Sequence, residues 1–212
     1  MRGRVGGSQE LRVIGGAWRG RRWRFPRNEA IRPTPDRVRE TLFNWLAPQL
    51  PGARCLDLFA GSGALGLEAL SRGAAHVVFI DADAASAAAL RALLADWPAP
   101  AFGATQPDPT RAEVLRADAM RWIGQHRPAQ QPPFDIVFLD PPFAADVLAR
   151  CLALLEQHDW LAAGARIYVE CPARAALPDL PQGWAWLRSR AAGEVGYHLA
   201  QRGARGVATE GE

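Results

Sequence analysis

One junction in this chain limits its folds more than any other stretch. The apolar run Arg54-Cys55-Leu56-Asp57-Leu58-Phe59 passes directly into Ala60-Gly61-Ser62-Gly63-Ala64-Leu65-Gly66, and a helical pattern continues to about residue 72. A strand that turns at glycines into a helix cannot join its successor by a tight hairpin. The next strand must come back parallel, through a right-handed crossover. The chain then repeats the unit. Strands are expected over 76–80, 113–116, 134–139 and 166–170, alternating with helices over 84–97, 119–126 and 144–157. On the last helix Val147, Leu148, Cys151, Leu152 and Leu155 make an apolar stripe. Residues 184–190 and 194–201, with Ala192-Gly193 between them, predict a closing antiparallel hairpin. Strands alternating with helices give an α/β doubly wound sheet. Stretches 98–110 and 128–133 predict loops.

Ligands of such sheets bind at the carboxyl ends of the strands. Four of these ends carry acids: Asp57, Asp81, Asp118 and Asp140. In the glycine loop Gly61 allows the turn, Gly63 lets a ligand approach the backbone, and the helix N-terminus attracts an anion. Asp81 lies at the distance expected of a ribose-binding acid. A nicotinamide dinucleotide and S-adenosylmethionine fit this loop equally. Asp57 separates them, because an acid before the loop repels a pyrophosphate but suits the ammonium of a methionine moiety. Asp118 is placed to accept from an adenine amino group, or to cap the following helix, or both.

The last acid opens Asp140-Pro141-Pro142-Phe143. The prolines stiffen the backbone and remove two N–H donors, which leaves only acceptors at this edge. Phe143 adds a flat apolar face. The group suits a planar ring carrying an NH2, hence amine methylation. A hydride-transfer site has no counterpart in the chain.

Charge is segregated. Residues 1–39 hold eleven arginines against three acids, a net +8, while the remainder carries fourteen arginines and nineteen acids, a net −5. A basic arm on an acidic body is the electrostatic footprint of a nucleic-acid binder. Within the arm Trp18, Trp23 and Phe25 interleave with Arg19, Arg21, Arg22 and Arg24, on two short strands expected over 11–25. The arginines suit phosphates. The aromatics either stack on unpaired bases or pack beneath the hairpin. In Arg32-Pro33-Thr34-Pro35-Asp36, Thr34 is the expected N-cap and Pro35 the first residue of a helix whose Val38, Leu42 and Trp45 share a face. Cys55, Cys151 and Cys171 lack metal-ligand spacing and read as buried thiols of a cytoplasmic protein. No apolar run is long enough to span a membrane.

Taken together, these motifs resemble the class I S-adenosylmethionine-dependent methyltransferases, and most closely the RsmD family, bacterial enzymes that methylate N2 of a guanine in 16S ribosomal RNA. The resemblance covers residues 11–203. It rests on Arg12-Val13-Ile14-Gly15-Gly16 with Trp18-Arg19-Gly20-Arg21, on Arg32-Pro33-Thr34 with residues 36–46, on residues 57–72, and on Asp140-Pro141-Pro142-Phe143. It implies a Rossmann-like seven-stranded sheet with the last strand antiparallel, plus an N-terminal basic β-hairpin. It implies that Asp57, Gly61 and Gly63 hold the methionine end, Asp81 the ribose and Asp118 the adenine. Phe59, Ala60, Ala119 and Asp140 would line the same cofactor site. Asp140, Pro141, Pro142 and Phe143 would be catalytic, and Arg12, Arg19, Arg21, Arg22, Arg24, Arg32 and Arg37 would meet RNA. The partner implied is 16S rRNA in an assembled or assembling small subunit, with the enzyme a metal-free monomer. The expected organisation is a disordered extension over 1–10, an RNA-binding hairpin and helix over 11–50, the methyltransferase domain over 51–203 and a flexible tail over 204–212. Rival readings are methylation of a DNA adenine or a protein glutamine, a nicotinamide-dependent oxidoreductase, and a non-catalytic RNA-binding protein.

Overall fold

Short runs of β-branched and aromatic residues, each ended by an acid or a proline, set the central strands. In the computed structural model they become β3 (Arg54–Asp57), β4 (His76–Asp81), β5 (Ala112–Arg116), β6 (Phe134–Leu139) and β7 (Leu161–Pro172). The structure describes residues 8–26, 34–97, 111–142 and 145–203. Arg32, Phe143, the expected loop 98–110 and the expected tail 204–212 lie outside the described residues. Strands β3 to β7 pair in parallel, and β8 (Ala185–Ala192) and β9 (Val195–Gln201) complete a seven-stranded sheet in the order β5-β4-β3-β6-β7-β9-β8. The chain-final strand β9 runs antiparallel to both β7 and β8. Strands β3, β4 and β6 are almost wholly buried, as strands covered on both faces must be. Strand β7 exceeds its expected span because β6 pairs with it back to Leu161 and β9 forward to Pro172.

Helices α2 (Ala64–Ser71), α3 (Ala84–Asp96), α4 (Ala119–Ile123) and α5 (Ala145–Gln157) make the crossovers. From β3 the chain steps outward to β4 and β5, then returns to β6 on the other side of β3. The winding direction reverses there, so a crevice opens between the carboxyl ends of β3 and β6. Asp57 ends β3 and Asp140 follows β6, so the two acids flank that crevice.

The N-terminal arm is part of the same core. Strands β1 (Ser8–Arg12) and β2 (Arg22–Pro26) pair antiparallel with Leu11 opposite Trp23. Residues 8–10, expected in a disordered extension, are therefore strand. Glu10 holds them by pairing with Arg22 at 2.8 Å and Arg24 at 3.6 Å across the ladder. Alternation along β2 puts Arg22 and Arg24 outside and Trp23 and Phe25 inside. Trp18 and Trp23 meet the edge of Trp97, and the Trp23 indole N–H donates to the Ser62 carbonyl at 3.0 Å. Buried Glu68 on α2 accepts from the Ile14 and Gly15 N–H groups and from Arg72, at 2.7–2.8 Å. The hairpin is thus bolted to the helix that follows the glycine loop.

Helix α1 (Asp36–Leu46) buries Val38, Leu42, Phe43 and Leu46, and Trp45 stacks on Tyr197. Thr34 is not its cap. Pro35 occupies that position without a side-chain bond, and the Thr34 hydroxyl donates to Glu170 on β7 at 3.0 Å. A helix cap is worth about 1 kcal/mol, and a buried carboxylate left short of donors costs more. All three cysteines are buried and free. No helix of the described residues is long and apolar enough to cross a membrane.

Candidate active site

A cavity of about 1100 Å³ lies along the carboxyl edge of the sheet, over the crevice between β3 and β6. Sites for single small ligands span roughly 300–1,000 Å³, so it has room for a cofactor and part of a second molecule. Its wall carries Asp57, Asp81, Asp83, Asp118, Asp140, Glu170 and Glu194, with Arg174 also in the lining. That excess of carboxylates favours a cationic ligand and opposes a pyrophosphate.

The glycine loop shapes one part of the wall. Gly61 has φ +50° and Gly63 φ +76°, a region that side chains strain to occupy. Gly61 lines the cavity; Gly63 does not. A Cβ on Gly63 would strike Leu90 of α3, so the missing side chain lets α3 pack closely on the loop. A Cβ on Gly66 would strike the Phe79 ring, so the third glycine seats α2 against β4. Phe59, Ala60 and Ala119 do line the cavity.

The acids differ in how far the protein has already satisfied them. Asp81 accepts from the Gly61 N–H at 2.6 Å and the Asp83 N–H at 2.7 Å, one on each oxygen. Asp118 caps α4, its Oδ1 accepting from the Arg121 N–H at 2.7 Å, and still lines the cavity. Both readings of Asp118 are therefore compatible with its geometry. Asp57 accepts from the Gly66 N–H at 3.0 Å through Oδ2. Burial pushes its carboxyl up to about 7; the Gly66 bond pulls it back and the charge of Asp81 adds to the rise.

Asp140 has no hydrogen-bond partner among the described residues, though it is half-buried in the wall between Leu139 and Pro141. Loss of hydration holds its carboxyl well above the usual carboxylate range, and the charges of Glu170 and Asp57 push the same way. Pro141 and Pro142 line the cavity beside it. A carboxylate in such surroundings is stabilised by a donor or cation that no described residue supplies.

Thr34 and Glu170 are site residues that no sequence motif marks as such. Both line the cavity, and Glu170 also accepts from the Tyr168 hydroxyl at 2.8 Å. The acid at the end of the expected strand 166–170 was the available signal, since the other core strands end the same way. His198 stays outside the cavity, its Nδ1 2.7 Å from the Ser189 hydroxyl.

The arginines expected at RNA are exposed wherever the structure describes them: Arg12, Arg19, Arg21, Arg22, Arg24 and Arg37. Arg12 pairs with Asp36, and Arg22 and Arg24 with Glu10. Arg19, Arg21 and Arg37 have no carboxylate within ion-pair distance among the described residues, and Arg21 lies over the Trp97 ring. Trp18, Trp23 and Phe25 are 3–4 % exposed. Of the two readings open for these aromatics, packing beneath the hairpin is the one observed, and it leaves no face free to stack on bases.

Comparison with known proteins agrees with this architecture. Residues 11–201 match the family model described as Conserved hypothetical protein 95. The chain is 46% identical over 200 residues to the ribosomal RNA small subunit methyltransferase D of Escherichia coli strain K12, covering 94% of each chain. It is 41% identical to the Haemophilus influenzae protein of the same name, over 91% of this chain and 94% of that one. A solved structure described as a putative methyltransferase from Escherichia coli superposes with a TM-score of 0.81 at 45% identity, covering 93% of this chain and all of the other. The Thermus thermophilus 16S rRNA N2 G1207 methyltransferase shares the fold, with a TM-score of 0.60 at 21% identity over 94% of this chain and 50% of that one. The fold, the cavity at its switch point and these matches along nearly the whole chain place the protein in the Conserved hypothetical protein 95 family, the RsmD methyltransferases.

Proposed function

We propose that this protein transfers a methyl group from S-adenosylmethionine to the exocyclic N2 amine of a guanine in 16S rRNA of the small ribosomal subunit. The observation that carries the reading is Asp140: a carboxylate without a partner among the described residues, next to two prolines, at the reversal point of the sheet and facing a cavity rich in acids. Relatives named ribosomal RNA small subunit methyltransferase D supply the substrate class.

The cavity residues fit the cofactor's chemistry. Asp57 faces the methionine ammonium, with Phe59, Ala60 and Gly61 beside it. Asp81, its orientation fixed by two backbone N–H groups, takes the ribose hydroxyls. The free oxygen of Asp118 takes the adenine amine, over Ala119. S-adenosylmethionine supplies an electrophilic methyl on a sulfonium, whose positive charge the surrounding carboxylates favour.

The exocyclic amine of guanine is a weak nucleophile because its lone pair is delocalised into the ring. Hydrogen bonds from its two N–H groups to Asp140 and to the Pro141 carbonyl favour a pyramidal nitrogen and aim the lone pair. Phe143, which the motif assigns to stacking on the base, lies outside the described residues. Catalysis by this arrangement is positioning and electrostatic stabilisation. As the nitrogen bonds to the methyl carbon, the carbon–sulfur bond would break and S-adenosylhomocysteine would leave as a neutral thioether. The nitrogen would give up one proton, during or after transfer, to Asp140 or to water. A guanine paired in a duplex is out of reach, so the target is a loop base or a flipped one. The exposed arginines of the hairpin and of α1 contact the RNA backbone.

The test is methyl transfer from labelled S-adenosylmethionine to small subunits from cells lacking the endogenous enzyme, with nucleoside analysis and mapping of the product. N2-methylguanosine at a single position is expected. Methylated adenine, or transfer to protein only, would overturn the substrate; absence of cofactor binding would overturn the reading of the cavity.

A further inference from the structure

Glu170 is a buried acid for which the mechanism above has no use. It is 7% exposed, at the carboxyl end of β7, and it lines the same cavity as Asp140. An acid in that position is costly unless it is well bonded. Its two hydrogen bonds, from the Tyr168 hydroxyl at 2.8 Å and the Thr34 hydroxyl at 3.0 Å, both end on Oε2. Among the described residues nothing donates to Oε1 and no cation pairs with the group. The hydroxyls come from two elements, β7 itself and the residue ahead of α1, so the carboxylate is held in one orientation with an acceptor to spare. Val169 pairs with Leu139 in the parallel ladder of β7 and β6, so Glu170 and Asp140 are the next residues on adjacent strands.

Guanine presents two neighbouring donors on one edge, the N2 amine and N1–H. Adenine presents its amine beside a bare N1 acceptor, which would meet a carboxylate lone pair to lone pair. Two carboxylates facing one cavity match the first pattern and reject the second. We propose that Glu170 is the residue that selects guanine, its Oε1 accepting N1–H while Asp140 takes the amine, with Thr34 and Tyr168 as the positioning residues that hold it. This inference rests on the guanine-N2 reading above and names the group that reads the base.

The test uses the full chain and small subunits reconstituted from rRNA in which the mapped target guanine is replaced by 2-aminopurine. That base keeps the methylatable amine and lacks N1–H. A site built around a hydrogen bond rejects an analogue that cannot make it. For the native protein kcat/KM is expected to fall at least about a hundredfold. Glu170→Gln keeps the shape, but the two hydroxyls draw its carbonyl and turn its NH2 toward the base. It should lose activity on guanine, keep or gain activity on 2-aminopurine, and shrink the preference at least tenfold. Native enzyme that methylates 2-aminopurine nearly as well as guanine would overturn the proposal. So would Glu170→Gln lowering both activities by one factor, the mark of a purely structural acid. Should Glu170→Gln fail to fold, judged by lost cofactor binding, Tyr168→Phe decides: a reduced preference supports the proposal and an unchanged one overturns it. If native protein makes no N2-methylguanosine on guanine-containing subunits, the proposed function has failed before this preference is measured.

Discussion

The hairpin face and the cavity are built on opposite plans. In the hairpin, charge lies outside and aromatic area inside: five described arginines are exposed, while Trp18, Trp23 and Phe25 are sealed against α2, α3 and the glycine loop. In the cavity the acids face inward, several of them buried or half-buried, and Asp140 has no partner among the described residues. The basic face attracts a polyanion at long range. The acidic cavity repels its phosphates and admits only what is cationic or rich in N–H donors. On the proposed function, the two surfaces would together hold an RNA by its backbone while leaving the pocket for one base and one cofactor. Glu68 ties them mechanically, since it anchors the hairpin to the helix that starts at the cavity wall.

The contrast can be broken at several points, the largest effect first. Asp140→Ala should lower kcat by about a thousandfold or more, because it removes the group proposed to orient the nucleophile. Cofactor affinity should stay within a few-fold. Single-turnover transfer near the native rate would exclude Asp140 as the acceptor of the amine. Trp23→Ala should cost about 3–5 kcal/mol of stability, the usual loss for a large buried aromatic, visible as a lower denaturation midpoint. A protein of native stability that binds RNA poorly would instead make Trp23 a base-stacking residue.

Asp57→Asn should weaken S-adenosylmethionine binding by roughly ten- to a hundredfold, about the value of one charge-assisted contact. The pH dependence sharpens this. In the folded protein the Asp57 carboxyl titrates near 7 against an ordinary 3.8. Folded chains therefore hold a proton that unfolded chains release across that window. This acid favours folding least at high pH, so its contribution to stability falls as pH rises from about 4 to about 7. Cofactor affinity should move oppositely and rise toward pH 7 as the carboxylate forms. Thermal melts and binding isotherms from pH 5 to pH 8, about the range of interest, would test both slopes, and Asp57→Asn should flatten each. The smallest effect is expected from Arg19, Arg21 and Arg37, the exposed arginines without an acid partner. Replacing all three by Gln should raise KM for subunits about tenfold, lower the salt slope of binding by about 2–3, and leave kcat unchanged. A kcat effect would place one of them inside the reacting complex.

Much of this architecture could be read from local chemistry. Strand, glycine turn and helix repeat with acids at the strand ends, and this periodic pattern survives folding because burial on both faces rewards it. The expected elements stand within a few residues of their observed bounds, except where pairing partners extended β7 and β1. Asp57, Gly61, Asp81, Asp118 and Asp140 all reach one cavity from four separate strand ends and a loop. Gly63 gained a packing role and Thr34 took another one. Leu90 packs against Gly63 where a Cβ would stand, and a buried acid 136 residues away took the Thr34 hydroxyl from the helix it was expected to cap. Neither outcome has a local signal, because each depends on what a distant segment brings alongside.

The division between the two levels has one physical cause. Sequence alone determined the features that depend on near neighbours: the alternation of strand and helix, the acids at strand ends, the stiff Asp140-Pro141-Pro142 turn and the separation of basic arm from acidic body. Only the tertiary structure decided which side of the hairpin the aromatics face, that Glu68 clamps the hairpin, and that Thr34 and Tyr168 steady Glu170 beside Asp140. Burial and hydrogen-bond satisfaction are settled among groups far apart in the chain. Their free energies are set only when the sheet and its covering helices close around them.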